Sequence, residues 1–446
     1  MSGVFMKYAA ISGFPEWLPE EKLIEQHILD KIRQKFELFG FSPIETRAIE
    51  PLDVLLSKGD DKEIYVLRRL HEEDPQAAAE FGLHFDVTVP FARYVQQFRS
   101  QLSFPFKRYQ IQKVWRGERP QEGRYREFYQ ADIDVIDEGN LSLHYDAEFP
   151  LLLQEVLSSL PIPKVVVKIN NRKVLEGFYR GLGIEDIGHT LRTMDKIDKI
   201  GKAEVSKQLE AAGLSTSQAE SCLALGLIKG SDDKVLQQVE ALGVRHELLA
   251  EGLSELEYVL KTCQSLPAGS VIADLSIARG LDYYTGTVYE GYFADHPFGA
   301  VCSGGRYDNL ASSEKFKLPG VGVSIGVTRM LGYLFSKSLL KANKKSPTLV
   351  LISLPDEASR PRAFTIAAAL RSRGIPCDIH AKPDKYGKQI RAAERRGIPY
   401  IWFFDSKDEG KHEIKDIRSG EQFAADLETW MPPFLDSEMR VEVVKP

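Results

Sequence analysis

Residues 115–134 read WRGERPQEGRYREFYQADID, and four arginines, Arg116, Arg119, Arg124 and Arg126, fall within eleven residues, threaded with acids and aromatic rings. A guanidinium offers a planar fork of donors that engages a phosphate or a carboxylate through two parallel hydrogen bonds. An aromatic ring beside it can stack on a nucleobase. The loop GERPQEG, with two glycines and a proline, separates two strand-like runs, so the stretch reads as a hairpin. Side chains alternate along a strand. On the second strand Tyr129, Ala131, Ile133 and Val135 make an apolar face, and Arg126, Phe128, Gln130, Asp132 and Asp134 make the other. Taken alone, such a charged face is more often a solvated surface laced with cross-strand ion pairs. The density of arginine and the grouping of ring, amide and acid point instead to a ligand.

The elements that must position this hairpin are legible around it. Residues 20–39 place Leu23, Ile24, Ile28, Ile32, Phe36 and Phe39 at a helical period, and Gly40 ends that helix. A strand entered through Pro43 follows. Strand-like, mostly antiparallel material then runs from about 62 to 136, interrupted by the helical VPFARYVQQF. From 171 to 266 the texture becomes helical and rich in Lys, Glu and Leu, as expected of an insertion into the sheet. Strand signals return at SVIADLSI, at YYTGTVYEGYF and around an AVCSGGRYD turn, and TRMLGYLFSKSLL reads as a helix. KANKKSP, residues 341–347, reads as a linker. Beyond it a βαβαβ alternation marks a separate α/β domain.

Bulk properties narrow the classes. The 446 residues suffice for two or three domains, and an ordinary hydrophobic and charged content excludes disorder as the main state. A net charge of -6 requires any nucleic-acid contact to use local basic patches. The four cysteines, Cys222, Cys263, Cys302 and Cys377, form no CxxC pair, which argues against a zinc ribbon or disulfide framework and fits a reducing compartment. No apolar run reaches the ~18–20 residues that span a bilayer, and residues 1–21 carry no signal-peptide core. A cytoplasmic location without membrane association is the expectation.

WRGE with its loop and second strand resembles motif 2 of the class II aminoacyl-tRNA synthetases, with Arg116-Gly117-Glu118 as the Arg-x-Glu element. GVGVSIGVTRML, residues 320–331, resembles motif 3, and the first helix with the strand through Pro43 resembles motif 1, which in that class builds the dimer interface. ARGLDYYTGTVYE, residues 278–290, and SGGRYDNL, residues 303–310, are similar to the two signature elements of histidyl-tRNA synthetases. HFDVTVPFARY, residues 84–94, is similar to the Asp-x-Thr form of eukaryotic-type members. The resemblance implies an α/β chain: an α+β catalytic domain (1–170 and 267–340) on a mostly antiparallel sheet of six or more strands, a helical insertion domain (171–266), the linker, and a C-terminal βαβαβ anticodon-binding domain (348–446). Two rivals are a histidine sensor that regulates biosynthesis and a class II synthetase for another amino acid; the signature peptide stands against both.

The family activates histidine with ATP, giving histidyl-adenylate and pyrophosphate, and then passes histidine to the 3′ end of tRNA(His). Two anions must meet in the first step, so cations and positioning dominate. By resemblance Arg116 clamps the α-phosphate and the amino-acid carboxylate, Glu118 accepts from the adenine amino group, Phe128 stacks under adenine, and Arg329 holds the γ-phosphate at a helix start. Mg²⁺ sits mainly on the ATP phosphates, and no protein-only metal site is implied. Gly320, Gly322 and Gly326 let backbone approach the nucleotide. Asp86, Thr88 and Gln130 receive the α-ammonium; Asp134 and Tyr284 engage the imidazole, and Tyr283 and Tyr307 line the pocket. Many members have Glu where this chain has Asp86 and Asp134. A pocket that pairs a polar side chain rejects apolar analogues without editing.

For tRNA, residues 359–396 hold ten Lys/Arg against three Asp/Glu, including Arg371, Arg373, Lys388, Arg391, Arg395 and Arg396. Arg119, Gln121 and Arg124 of the motif 2 loop are expected at the acceptor end, and a homodimer is implied by motif 1. Arg279, in the signature peptide, is implied to touch the reacting phosphate and carboxylate, opposite Arg116. Arg279→Ala is expected to lose most of the adenylation rate while largely keeping ATP binding; single-turnover kinetics check this, and an unchanged rate refutes the role.

Overall fold

The computed structural model of the chain describes residues 9–58, 63–71, 78–278, 283–405, 408 and 410–444. The chain divides into two compact units, one of residues 1–15 and 29–336 and one of residues 16–28 and 337–446.

The first unit is built on a sheet of nine strands in the order Ser42–Pro43, Phe106–Trp115, Glu127–Ile136, Gly320–Gly326, Cys302–Tyr307, Thr287–Phe293, Val165–Asn171, Val271–Asp274, Lys229–Gly230. Its joins are antiparallel except those of Ser42–Pro43 with Phe106–Trp115 and of Val165–Asn171 with Val271–Asp274. The long hairpin is the strongest local feature, its two ten-residue strands paired from Phe106↔Ile136 to Trp115↔Glu127. The AVCSGGRYD stretch, read as a turn, is instead the central strand Cys302–Tyr307. Its consecutive glycines let it sit against neighbours on both sides, since a Cβ on Gly304 would lie 2.1 Å from the Gly322 carbonyl oxygen.

The opening helix runs Pro19–Leu38, burying Ile24, Ile28, Ile32 and Phe36 as its period predicts. Gly40 follows in a left-handed conformation (φ 78°), and Phe41 N–H donates to the Phe36 carbonyl, closing the helix end. Between residues 172 and 263 seven helices carry the chain, from Arg172–Gly181 to Glu247–Cys263, with one two-residue strand among them. Four acceptable caps of this region are sequence-local, such as Ser215, whose side chain and that of Gln218 form a capping box.

The second unit holds a five-stranded sheet in the order Cys377–Ile379, Val350–Ile352, Tyr400–Phe404, His412–Asp416, Gln422–Ala424. The first three strands are parallel and joined by the helices Arg360–Ser372 and Tyr386–Arg396, as the alternation predicts; the last two add an antiparallel edge. The stretch read as helix through Leu340 and as linker from Lys341 differs. The helix stops at Ser336, Ser338 takes a positive φ of 52°, and Leu340–Ala342 pairs with Val441–Val443. That strand's partner lies about a hundred residues away, so no local pattern marks it.

All four cysteines are buried and free. No helix among the described residues is long and apolar enough to cross a membrane. Beneath the main sheet, Arg306 forms an almost fully buried pair with Asp146: Nη2 lies 2.8 Å from Oδ2, and the same nitrogen donates to the Leu141 carbonyl at 2.8 Å. Burial pushes the Asp146 carboxyl up, and Arg306 opposes that rise. Without the cation the folded-state value climbs further above that of the unfolded chain, so stability falls as pH rises above the ordinary carboxylate range. Arg306→Met is expected to cost about 3–5 kcal/mol, more at pH 8 than at pH 5, in urea unfolding; a cost independent of pH would assign the loss to packing alone.

Candidate active site

Pairing across the sheet turns the polar face of the Glu127–Ile136 strand into rows. Asp134 stands between Arg108 and Gly322, Asp132 between Gln110 and Ser324, and Gln130 between Gln112 and Gly326. The face is covered rather than solvated, with Gln130, Asp132 and Asp134 only 8%, 3% and 3% exposed. The face is therefore not a solvated surface.

In the first row Arg108 is fully buried, its Nη2 2.5 Å from Asp134 Oδ2 and its guanidinium 4.2 Å from the Phe91 ring centroid. The Tyr307 hydroxyl donates to Asp134 Oδ1 at 2.6 Å. Burial, and then the Asp134 charge, push the Tyr307 phenol well up, so it stays a donor. A Cβ on Gly322 would lie 1.9 Å from Asp134 Oδ1, and one on Gly320 would lie 2.5 Å from the Tyr307 ring. These two glycines thus make room for the pocket's own acid and phenol, which corrects the expectation that they admit the nucleotide. Gly326 does border the larger cleft.

Two cavities meet at this face. A cleft of about 220 Å³ is lined by Arg116, Glu118, Arg124, Phe128, Gln130 and Arg329, among others. A pocket of about 100 Å³ is lined by Asp86, Thr88, Gln130, Asp134, Tyr283, Tyr284 and Tyr307, and again by Arg116. Arg116 stands at the shared wall; its Nε donates to the Phe85 carbonyl at 2.9 Å and its guanidinium lies 5.2 Å from the Phe128 ring centroid. Asp86 also accepts from Val89 N–H at 2.9 Å, so the carboxylate holds the start of the Thr88–Phe98 helix while facing the pocket. The Tyr283 hydroxyl donates to that of Tyr284 at 3.0 Å, and burial pushes the Tyr284 phenol well up.

Arg329 sits in the first turn of the Val327–Ser336 helix, its guanidinium 5.2 Å from the Phe298 ring centroid. Phe298 in turn stacks on Tyr333 at 4.3 Å. A Cβ on Gly299 would lie 2.3 Å from Arg329 Nη2, so the glycine leaves the arginine its path. Phe298, Ser324 and Asp132 are residues that sequence reasoning gave no role. Asp132 lay in plain view on the acid face, whereas Phe298 in HPFG carried no signal. Arg279 lies outside the described residues.

In the hairpin loop Arg119 and Gln121 are exposed. Arg124 lies 3.6 Å from Glu118 and borders the larger cleft. In the second unit Lys388, Arg391 and Arg395 are exposed on the Tyr386–Arg396 helix. Arg371 and Arg373 also brace the backbone: Arg371 donates to the Cys377 carbonyl, and Arg373 to those of Leu427 and Trp430.

Comparison with known proteins decides the family. The profile described as Histidyl-tRNA synthetase matches residues 13–330, and that described as Anticodon binding domain matches residues 348–432. The chain belongs to the histidyl-tRNA synthetases. It is 52% identical to the histidine--tRNA ligase of Micrococcus luteus over 444 residues, covering 96% of this chain and 97% of that one. It is 52% identical to that of Thermobifida fusca over 425 residues, covering 94% and 97%. The crystal structure of histidyl-tRNA synthetase from Nostoc sp. PCC 7120 superposes with a TM-score of 0.85 at 37% identity, covering 94% and 97%.

A histidyl-tRNA synthetase must hold one small zwitterion and one triphosphate at once, and the two cavities sharing Arg116, Gln130, Ser303 and Ser324 offer that arrangement. Gly322→Ala, which crowds Asp134 without touching the larger cleft, is expected to raise KM for histidine about tenfold or more while KM for ATP stays within about twofold. Steady-state exchange kinetics read both, and equal losses for the two substrates would show a general distortion of the sheet.

Proposed function

We propose that the larger cleft takes ATP and the smaller pocket takes L-histidine, with Arg116 bridging the reacting carboxylate and α-phosphate. The observation that carries this reading is the place of Arg116 in the wall common to both cavities. Phe128 stacks under adenine, Glu118 accepts from its amino group, and Arg329, braced on Phe298, meets the γ-phosphate near the positive end of its helix. In the pocket Asp134, paired with Arg108, accepts from one imidazole N–H, and Tyr284 and Tyr307 close around the ring. Asp86, Thr88 and Gln130 receive the α-ammonium. Arg279 completes the clamp from the signature peptide.

Mg²⁺ bound on the triphosphate neutralises part of its charge. The larger cleft is arginine-rich and, among the described residues, is lined by one carboxylate, Glu118, already near Arg124, which fits ions held chiefly by phosphate oxygens. After adenylation the histidyl group passes to tRNA(His), with Arg119, Gln121 and Arg124 toward the acceptor end and Lys388, Arg391 and Arg395 toward the anticodon arm. Beside that basic helix, a groove of about 440 Å³ brings Tyr386, edge-on to Phe403, together with Lys411 and Lys415, the ring-and-cation set that holds an unstacked base. The enzyme works as a cytoplasmic homodimer with motif 1 at the interface, divided into the catalytic, insertion and anticodon-binding domains expected above.

Arg116→Lys keeps the charge and loses the fork. It is expected to slow histidine-dependent ATP–pyrophosphate exchange by about 10²-fold or more. A rate within about threefold of the parent would remove Arg116 from the reacting centre. Exchange supported by an amino acid other than histidine would overturn the assignment of the smaller pocket.

A further inference from the structure

The segment joining the strands Thr287–Phe293 and Cys302–Tyr307 reads ADHPFGAV, and its last two residues, Ala300 and Val301, line the larger cleft. Within it Phe298 N–H donates to the His296 carbonyl at 2.7 Å, closing a tight turn around Pro297. The Phe298 ring is half-buried and fixed by other rings. It stacks on Tyr333 at 4.3 Å with 23° between the planes, and on Phe293 at 6.3 Å. Tyr333 is held in turn by His296, whose Nδ1 lies 3.2 Å from the phenol oxygen.

The remaining contacts of the ring are with the cleft. The Arg329 guanidinium lies 5.2 Å from the ring centroid, within cation–π range. Gly123 of the hairpin loop comes so close that a Cβ on it would lie 2.5 Å from Phe298 Cζ and 3.6 Å from Arg329 Cγ. The loop is also keyed to the Val327–Ser336 helix, since a Cβ on Gly332 would lie 2.0 Å from the Tyr125 hydroxyl oxygen. One ring thus stands between the loop that carries Arg124 and the helix that carries Arg329, the two arginines at that end of the cleft.

A long arginine stem samples many directions unless a surface restrains it. A ring face restrains the guanidinium plane without consuming an N–H donor, so the donors at its edge stay available for a phosphate. Gly299, where a Cβ would lie 2.3 Å from Arg329 Nη2, keeps the path along the ring clear. We propose that Phe298 is a positioning residue of the nucleotide cleft, holding the Arg329 guanidinium beside the hairpin loop where the β- and γ-phosphates of ATP lie. This rests on the larger cleft being the ATP site with Arg329 at its γ-phosphate end. Phe298 touches no reacting atom and acts through Arg329, so its influence is confined to ligands that carry the outer phosphates. A merely structural ring would affect every ligand of the unit alike.

The test removes the ring and keeps the apolar bulk. Phe298→Leu is expected to raise KM for ATP in histidine-dependent exchange, and KM for pyrophosphate, by about 5- to 30-fold. KM for histidine and the inhibition constant of AMP, which lacks the outer phosphates, should stay within about twofold of the parent; these two constants also report that the variant is folded. Phe298→His, assayed at about pH 8 where a neutral imidazole restores a flat ring, should bring KM for ATP back to within about twofold. In an Arg329→Ala background, Phe298→Leu should change KM for ATP by less than about twofold, because the ring then has nothing to direct. An unchanged KM for ATP in Phe298→Leu, equal losses for ATP and AMP, no recovery with histidine at 298, or full additivity with Arg329→Ala would each overturn the proposal. The underlying reading has its own check. If Arg329→Ala alone weakened AMP as much as ATP, Arg329 would not meet the γ-phosphate, and that failure is distinguishable from a failure of Phe298 to direct it.

Discussion

A carboxylate buried under a sheet stays ionic only if a cation is buried with it and some open volume lies above it. Asp134 has both. Arg108, fully enclosed and resting on Phe91, supplies the charge, and the missing side chain at Gly322 supplies the volume. Each requirement reaches further into the fold. Arg108 must be one strand away in register, which needs the long hairpin; Gly322 must be on the other side, which needs a strand from far along the chain. The pocket floor is in this sense the point where the sheet topology is committed.

The same economy governs the larger cleft. Arg116 and Arg329 come from opposite ends of the catalytic unit, and each guanidinium is set against an aromatic ring, Phe128 for one and Phe298 for the other. A flat cation on a ring keeps its edge donors directed outward while its face is desolvated. That arrangement fits a site that must counter the charge of two approaching anions without a large reorganisation of side chains.

Much of this could be read from residue order. The hairpin, the first helix, the βαβαβ rhythm and the motif arginines all rest on periodicity or on contiguous stretches, and the structure shows Arg116 and Arg329 lining one cleft. What could not be read depends on partners distant in sequence. The polar face of the Glu127–Ile136 strand looks solvated until Asp86, Tyr284 and the Gly320–Gly326 strand are placed around it. Gly320 and Gly322 looked like nucleotide glycines because nothing local reveals which neighbour needs the space. Leu340–Ala342 looked like the end of a helix and the start of a linker because its strand partner, Val441–Val443, is remote. In the C-terminal unit Arg371 and Arg373 counted as surface charge by composition, and the structure adds that each also donates to backbone carbonyls, contacts no local pattern marks.

The acid-bearing strand, Glu127–Ile136, is joined on one side by a neighbour made just before it and on the other by Gly320–Gly326, with the whole helical segment translated in between. At about 5–20 residues per second, a ribosome leaves that second edge without its mate for on the order of ten seconds or more. During that interval three carboxyl groups sit on an unfinished sheet, where water and protonation can offset their mutual repulsion. The burden of keeping that half-made edge from pairing with another nascent chain falls on the charge of those acids, which discourages a stray hydrophobic strand from docking there.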